Sequence, residues 1–287
     1  MRVAARTGPE GAGYRAAMAD VMSAGAVDQA TIRAALGVAD EFDAVAESER
    51  RIDFLVDYLE RSRASGYVLG ISGGVDSTVA GRLASLACRR SGRSFTAMRL
   101  PYGVQADEAD AGAAMDFIEP ASTVTVDIKP AVDALHAATS ADDVTVETAD
   151  FVKGNIKARQ RMAAQYAVAG RLGALVVGTD HAAEAVMGFF TKYGDGAFDV
   201  GPLLGLTKSR VVAIGRELGA PAHLVEKVPT ADLEELRPAL PDEVAHGVTY
   251  AEIDAYLVGE EVGERARTVI EDAYRRTAHK RQLPPGP

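Results

Sequence analysis

The stretch Gly70-Ile-Ser-Gly-Gly-Val-Asp-Ser-Thr78 constrains this chain more than any other. It separates a β-type run, Tyr67–Ile71, from helical text, Ser77–Arg90. Glycine at such a turn lets the backbone approach a ligand closely and adopt positive φ. The helix that follows directs free N–H groups and a partial positive charge back at the turn. Together these make an anion site suited to phosphate. Ser72, Ser77 and Thr78 add hydroxyl donors. Asp76 would repel a bare phosphate, so its presence implies an intervening Mg²⁺. No Gly-Lys-Ser/Thr follows, so the loop is not a Walker A motif, and Gly201-Pro-Leu-Leu-Gly205-Leu-Thr-Lys-Ser209 has the wrong spacing to be one.

Four runs read as buried strands: Tyr67–Ile71, Phe95–Leu100, Thr123–Asp127 and Ala174–Gly178. Helical text is expected at Ser77–Arg90, Gln105–Phe117, Asp150–Leu172 and His181–Thr191. Ile52, Leu55, Val56 and Leu59 recur at helical spacing before the first strand. Strands alternating with helices predict an α/β fold, a doubly wound parallel sheet with flanking helices. Ligands then sit beyond the carboxyl ends of the strands, where the Gly-rich loop lies. From about Lys208 onward the text reads as helices and loops, irregular around Pro229, Pro238 and Pro241, with Glu264–Thr277 as the closing helix. The Gly-rich Thr191–Leu206 stretch reads as a mobile lid.

Composition removes other classes. Apolar residues make up 47% of 287, enough for a sizeable core. The single Cys88 excludes an internal disulfide, a Cys-based zinc cluster and a CxxC pair, and fits a reducing, cytoplasmic compartment. Cys88 itself reads as a small, partly buried helix residue. A formal net charge of −10 argues against nucleic acid as a partner. No run approaches the roughly 20 apolar residues of a membrane helix, so no membrane partner is expected. The Gly- and Pro-containing start reads as a loose leader without a signal core, and Leu283-Pro-Pro-Gly-Pro287 as a frayed tail. The expected division is leader and helix over 1–40, a single domain over 41–281 and a disordered tail over 282–287.

The Ser-Gly-Gly-x-Asp-Ser cluster resembles the pyrophosphate loop of the ATP-pyrophosphatases, the adenine nucleotide alpha hydrolase-like group. Further segments narrow the resemblance: Leu100-Pro-Tyr-Gly-Val-Gln-Ala-Asp-Glu108, Gly154-Asn-Ile-Lys-Ala-Arg-Gln-Arg-Met162, Gly178-Thr-Asp-His-Ala-Ala-Glu184, Gly188-Phe-Phe-Thr-Lys-Tyr-Gly-Asp195, Pro229-Thr-Ala-Asp-Leu-Glu234, Leu240-Pro-Asp-Glu243 and His279-Lys-Arg281. In this order, from about Glu41 to Arg281, they resemble the bacterial ammonia-dependent NAD synthetases. The resemblance implies adenylylation of the nicotinate carboxylate of deamido-NAD by ATP, then amidation by ammonia, giving NAD, AMP and pyrophosphate. It implies that Asp76, Glu184 and Lys208 are catalytic, with Asp76 and Glu184 holding Mg²⁺. It places ATP on Gly70, Ile71, Ser72, Gly73, Gly74, Val75, Asp76, Ser77, Thr179, Lys208 and Thr230. Deamido-NAD falls to Arg159, Lys192, Asp199, His279 and Lys280, and a homodimer with this substrate near the subunit interface is implied.

The same residues have plainer readings. Thr179 also reads as a helix cap, Asp199 as a turn residue, and His279-Lys280 as cations at a helix C-terminus. Lys208 opens a helix, where a cation is disfavoured unless it meets an anion. Val75 stands where many relatives carry Gln, which suits a position that contributes mainly backbone. His181 invites a general-base reading, yet the resemblance gives it no role. A built-in amidase would need a catalytic Cys and on the order of 250 further residues, so free ammonia is the expected donor. Two alternatives stay open: another ATP-pyrophosphatase, although a sulfur transferase would want more cysteine, and a non-enzymatic ATP-binding module.

Overall fold

The computed structural model describes residues 28–103, 108–141, 143–231, 233–238 and 240–286. Residues 1–27 of the leader and helix expected over 1–40, the start of the helix expected from Gln105, Asp232 and Pro287 lie outside the described residues.

The sheet is built from short apolar runs in which successive side chains alternate between faces. Strand β1 (Gly66–Gly70) pairs in parallel with β2 (Ser94–Arg99) on one side and β4 (Leu175–Val176) on the other. Strand β3 (Ser122–Thr125) continues beyond β2, giving the order β3-β2-β1-β4. Tyr67, Leu69, Phe95 and Ala97 face one core, and Val68, Met98 and Val176 face another. The first core is covered by α2 (Ala44–Ser62), α3 (Val75–Ser91), α4 (Glu108–Ile118) and α8 (Lys208–Glu217). The second is covered by α5 (Lys129–Thr139) and α6 (Val146–Leu172). Helices on both faces of a parallel sheet are the expected doubly wound arrangement.

A third core lies beside the sheet. It joins α1 (Gln29–Ala35), α7 (Ala182–Met187), α11 (Tyr250–Val258) and α12 (Glu264–Arg276) around Ile32, Val186, Ile253, Tyr256 and Ile270. Gln29 Nε2 donates to the Tyr256 carbonyl at 2.7 Å and Arg33 Nε to that of Leu257 at 2.7 Å. Helix α1 is thus built into the folded body, although it precedes the boundary expected near residue 41. The remaining elements are α9 (Ala222–Val225), α10 (Asp242–His246), α13 (Ala278–Arg281) and the antiparallel pair β5 (Thr230–Ala231) and β6 (Leu240–Pro241).

Several expectations need correction. β3 is not a buried strand: it is the exposed edge, with only Val124 partly covered. β4 is two residues long, and its line is extended only by an isolated bridge between Val177 and Val200. Helix α7 stops at Met187, not Thr191, because Gly188 takes φ +62° and ends it with a left-handed turn. A Cβ at Gly188 would sit 2.3 Å from Cβ of Thr277, so the close approach also requires glycine. α12 does not close the chain, since α13 follows it. The C-terminal end of the Thr191–Leu206 stretch is anchored, with Leu203 and Leu206 in the first core. Cys88 is fully rather than partly buried, and burial pushes its thiol up to about 12, which keeps it unreactive.

Candidate active site

The loop after β1 and the first turn of α3 line a cavity of about 980 Å³ at the carboxyl end of the sheet. Gly73 has φ +87°, and a Cβ there would lie 2.7 Å from the Ala111 nitrogen in the first turn of α4. Only glycine lets the loop and α4 come this close. We therefore expect Gly73→Ala to cost about 1–3 kcal/mol of stability in urea unfolding and to raise KM for ATP. Wild-type values for both would show that the loop conformation does not matter to the site. The loop's hydroxyls hold it together: Ser72 N–H donates to Ser77 Oγ at 3.2 Å, and Gly74 N–H to Ser72 Oγ at 3.2 Å. Thr78 Oγ1 donates to the Gly74 carbonyl at 2.8 Å. Gly74 caps α3 without a side-chain bond, which leaves the first-turn N–H groups directed at the cavity.

β1 and β4 are neighbours, and this brings Asp76, in the first turn of the helix after β1, against Glu184, in the first turn of the helix after β4. Lys208 Nζ donates to both Asp76 oxygens, at 2.9 and 2.7 Å. Lys208 is the first residue of α8, so its positive charge meets an anion where the helix dipole would otherwise disfavour it. Asp254 of α11 orients that helix start by accepting from the N–H of Lys208 at 3.0 Å and of Ser209 at 2.7 Å. His181 is the N-cap of α7, and its Nδ1 accepts from the Glu184 N–H at 3.3 Å. Its Nε2 lies 3.5 Å from Asp76 Oδ1 and 3.6 Å from Glu184 Oε2. Thr179, read above as a possible cap, is not the cap of this helix and lines the cavity instead.

The electrostatics follow from this packing. Burial acts to raise the Asp76 carboxyl, but the Lys208 ammonium outweighs it and keeps the group below its ordinary value. For Glu184 the Lys208 ammonium does not win: burial, then the Asp76 charge, lift it well above the carboxylate range. Burial works against the Lys208 ammonium, yet Asp76 and Glu184 together hold it above its ordinary value. Burial pushes His181 down to about 3, so the ring is neutral near pH 7. Oxygens of Asp76 and Glu184 and a ring nitrogen of His181 lie within 4.8 Å of one another. Two crowded carboxylates, one of them held above its normal pKa, fit a hard divalent cation with oxygen ligands.

The cavity brings together Gly70, Ile71, Ser72, Gly74, Val75, Asp76, Ser77, Thr179, Glu184, Lys208, Thr230 and Lys280. Val75 contributes more than backbone, because its side chain is buried in the first core. Gly73, Arg159, Lys192, Asp199 and His279 do not line the cavity. Arg159 and Lys192 meet beside it, with Arg159 Nη2 donating to the Lys192 carbonyl at 3.3 Å and Lys192 Nζ to the His279 carbonyl at 2.6 Å. Lys280 Nζ donates to the carbonyls of Gly188 and Phe190, each at 2.8 Å. Asp199 accepts from the Val176 N–H at 2.7 Å and the Tyr166 hydroxyl at 3.3 Å, which ties it to the β4 edge.

Other functional-looking residues were missed by sequence reasoning. Gln165 Oε1 accepts from the Gly70 N–H at 2.7 Å, and Arg99 Nη1 donates to the Ile71 carbonyl at 2.7 Å, so both fix the end of β1. Asp180, Asp195 and Asp242 bring further carboxylates to the site, and burial raises Asp180 well above its ordinary value. These three acids stand inside segments quoted above, whereas no local pattern marks Gln165 or Arg99.

A parallel sheet with a Gly-rich loop feeding a cavity at its carboxyl end defines an adenine nucleotide alpha hydrolase-type α/β protein, the fold of its structural neighbours. The family model for NAD synthase matches residues 47–284, and the chain belongs to that family. It is 60% identical over 260 residues to the NH(3)-dependent NAD(+) synthetase of Streptomyces coelicolor, covering 88% of this chain and 94% of that one. Its structure resembles that of NAD+ synthetase from Burkholderia pseudomallei, with TM-score 0.77, 52% identity and coverage of 89% and 96%. It also resembles NMN synthetase from Francisella tularensis, with TM-score 0.77, 37% identity and coverage of 86% and 99%.

Proposed function

We propose that the chain makes NAD by ATP-driven amidation of deamido-NAD with ammonia. The observation that carries this reading is the meeting of Asp76, Glu184 and Lys208 beside the loop after β1. A carboxylate becomes an acylating agent only when one of its oxygens is turned into a leaving group. In the first step a nicotinate carboxylate oxygen bonds to the α-phosphorus of ATP, the bond from that phosphorus to the bridging oxygen breaks, and pyrophosphate leaves. In the second step the ammonia lone pair attacks the acyl carbon, AMP leaves with the former carboxylate oxygen, and a proton passes to solvent.

Both steps move negative charge between phosphate oxygens, so their main need is preorganised positive charge. The loop N–H groups of residues 70–77 and the hydroxyls of Ser72 and Ser77 receive the phosphates. Thr179 and Thr230 border the same cavity. Lys208 turns from Asp76 to the phosphates. Asp76 and Glu184 hold Mg²⁺, which supplies charge neutralisation on the polyphosphate. Arg159, Lys192, Asp199, His279 and Lys280 face deamido-NAD. Because four of these five lie outside the cavity, a site shared across a homodimer interface suits them. Exposed Phe54 on α2 and exposed Phe151 on α6 give such an interface apolar material. Residues 41–281 act as the catalytic domain, with α1 packed onto it, and the reaction suits a cytoplasmic enzyme.

The test is an assay of purified protein with ATP, Mg²⁺, ammonium and either deamido-NAD or the nicotinate mononucleotide. The expected result is NAD and AMP in equal amounts, with a kcat/KM for deamido-NAD at least tenfold above that for the mononucleotide. Preference for the mononucleotide would move the reading to NMN synthesis. ADP in place of AMP would sink the adenylylation chemistry.

A further inference from the structure

Among the described residues, three buried side-chain atoms lack a hydrogen-bond partner: His181 Nε2, Asp242 Oδ1 and His246 Nε2. The first stands between the two carboxylates of the site, and its protonation can be derived from geometry. His181 Nδ1 accepts the backbone N–H of Glu184, so Nδ1 carries no hydrogen. The ring proton is therefore on Nε2. A nitrogen that bears a proton has no lone pair to offer a metal, so His181 is a donor at this site and not a ligand. The ring cannot move away, since His181 is fully buried, caps α7 and lies 6.4 Å from the Tyr250 ring.

The donor lies 3.5 Å from Asp76 Oδ1 and 3.6 Å from Glu184 Oε2, just too far to bond either well. Asp76 meanwhile spends both oxygens on Lys208. When Lys208 turns to the phosphates, Asp76 loses the partner that orients it, at the moment when its orientation matters most. A shift of a few tenths of an ångström then brings an oxygen of Asp76 onto His181. We propose that His181 is a positioning residue, whose Nε2–H takes over the Asp76 carboxylate from Lys208 and holds it beside Glu184 when Mg²⁺ and ATP bind. This rests on the reading of Asp76 and Glu184 as the metal carboxylates.

Two substitutions separate the donor from the cap. His181→Asn keeps an oxygen for the Glu184 N–H, and Asn is a favoured N-cap, but it is too short to reach the carboxylates. His181→Gln places an amide N–H near the Nε2 position and gives up the cap. Mn²⁺ binding in the presence of a non-hydrolysable ATP analogue is read by electron paramagnetic resonance, alongside kcat and KM. His181→Asn should bind Mn²⁺ about 10- to 100-fold more weakly and lose kcat to a similar degree. Its KM for deamido-NAD should be unchanged. His181→Gln should stay within about threefold of wild type for Mn²⁺, as expected when the outer-shell donor is kept. The reverse pattern, Gln impaired and Asn intact, would show that His181 acts only as a helix cap and would overturn the proposal. Glu184→Gln serves as the control. If it loses Mn²⁺ while His181→Asn does not, the positioning role fails and the metal reading stands. If Glu184→Gln binds Mn²⁺ like wild type, the metal reading fails and takes the proposal with it.

Discussion

Asp76→Asn should lower kcat for AMP formation by about a thousandfold or more, because it removes one of the two carboxylates proposed to hold the cation that neutralises the polyphosphate during adenylyl transfer. The same change leaves Lys208 buried with a neutral partner, since the ammonium touches both Asp76 oxygens at 2.9 and 2.7 Å. Breaking a buried pair from one side costs about 3–5 kcal/mol, and this pair belongs at the low end because Asp76 also opens onto the cavity. The variant should therefore fold, with a lower melting temperature and native circular dichroism. Single-turnover quench-flow with excess enzyme separates chemistry from product release. A rate within tenfold of wild type would remove Asp76 from the mechanism.

Lys208→Met should have the next largest effect. It keeps the length of the side chain and its packing near Tyr250, whose ring centroid lies 5.2 Å from Nζ. It removes the cation paired with Asp76. We expect kcat/KM for ATP to fall by about 10²–10³-fold, the cost of losing one preorganised positive group in a transition state rich in oxygen charge. Glu184 and Asp76 would then face each other without compensation, so Lys208→Met should bind Mn²⁺ without the nucleotide at least as well as wild type. Unchanged kcat/KM with ATP would show that Lys208 serves only to neutralise Asp76.

Much of this site is readable in the chain because its parts lie where the text changes period. Asp76, Thr179 and Glu184 all follow the end of an apolar run, and a parallel sheet collects such ends on one side. A cation at the start of a helix, as at Lys208, itself calls for an anionic partner. Contacts between distant segments are not readable in this way. Gln165 reaches the Gly70 N–H across 95 residues of sequence, and Asp254 reaches the start of α8 across 46. Nothing in the local composition around Gln165 or Asp254 marks that use. Element ends failed for local reasons. Phe189 and Phe190 carried the apolar pattern past Gly188, where the backbone had already turned. Helix α5 was missed, although its Pro130 sits in the first turn, where a missing N–H is harmless. β3 looked buried because β-branched residues suit an edge strand as well as an inner one.

The two carboxylates of the site stand on different foundations. Asp76 rides on α3, which is packed into the first core with the sheet, whereas Glu184 rides on α7, which is packed with α1, α11 and α12 in the third. The gap between them is thus a gauge of how the two cores seat against each other. A rotation of the α7 bundle by a few degrees would respace the carboxylates while leaving every strand in register. Substitutions at Ile253 or Ile270, both buried in the third core, should then change the separation of Asp76 and Glu184.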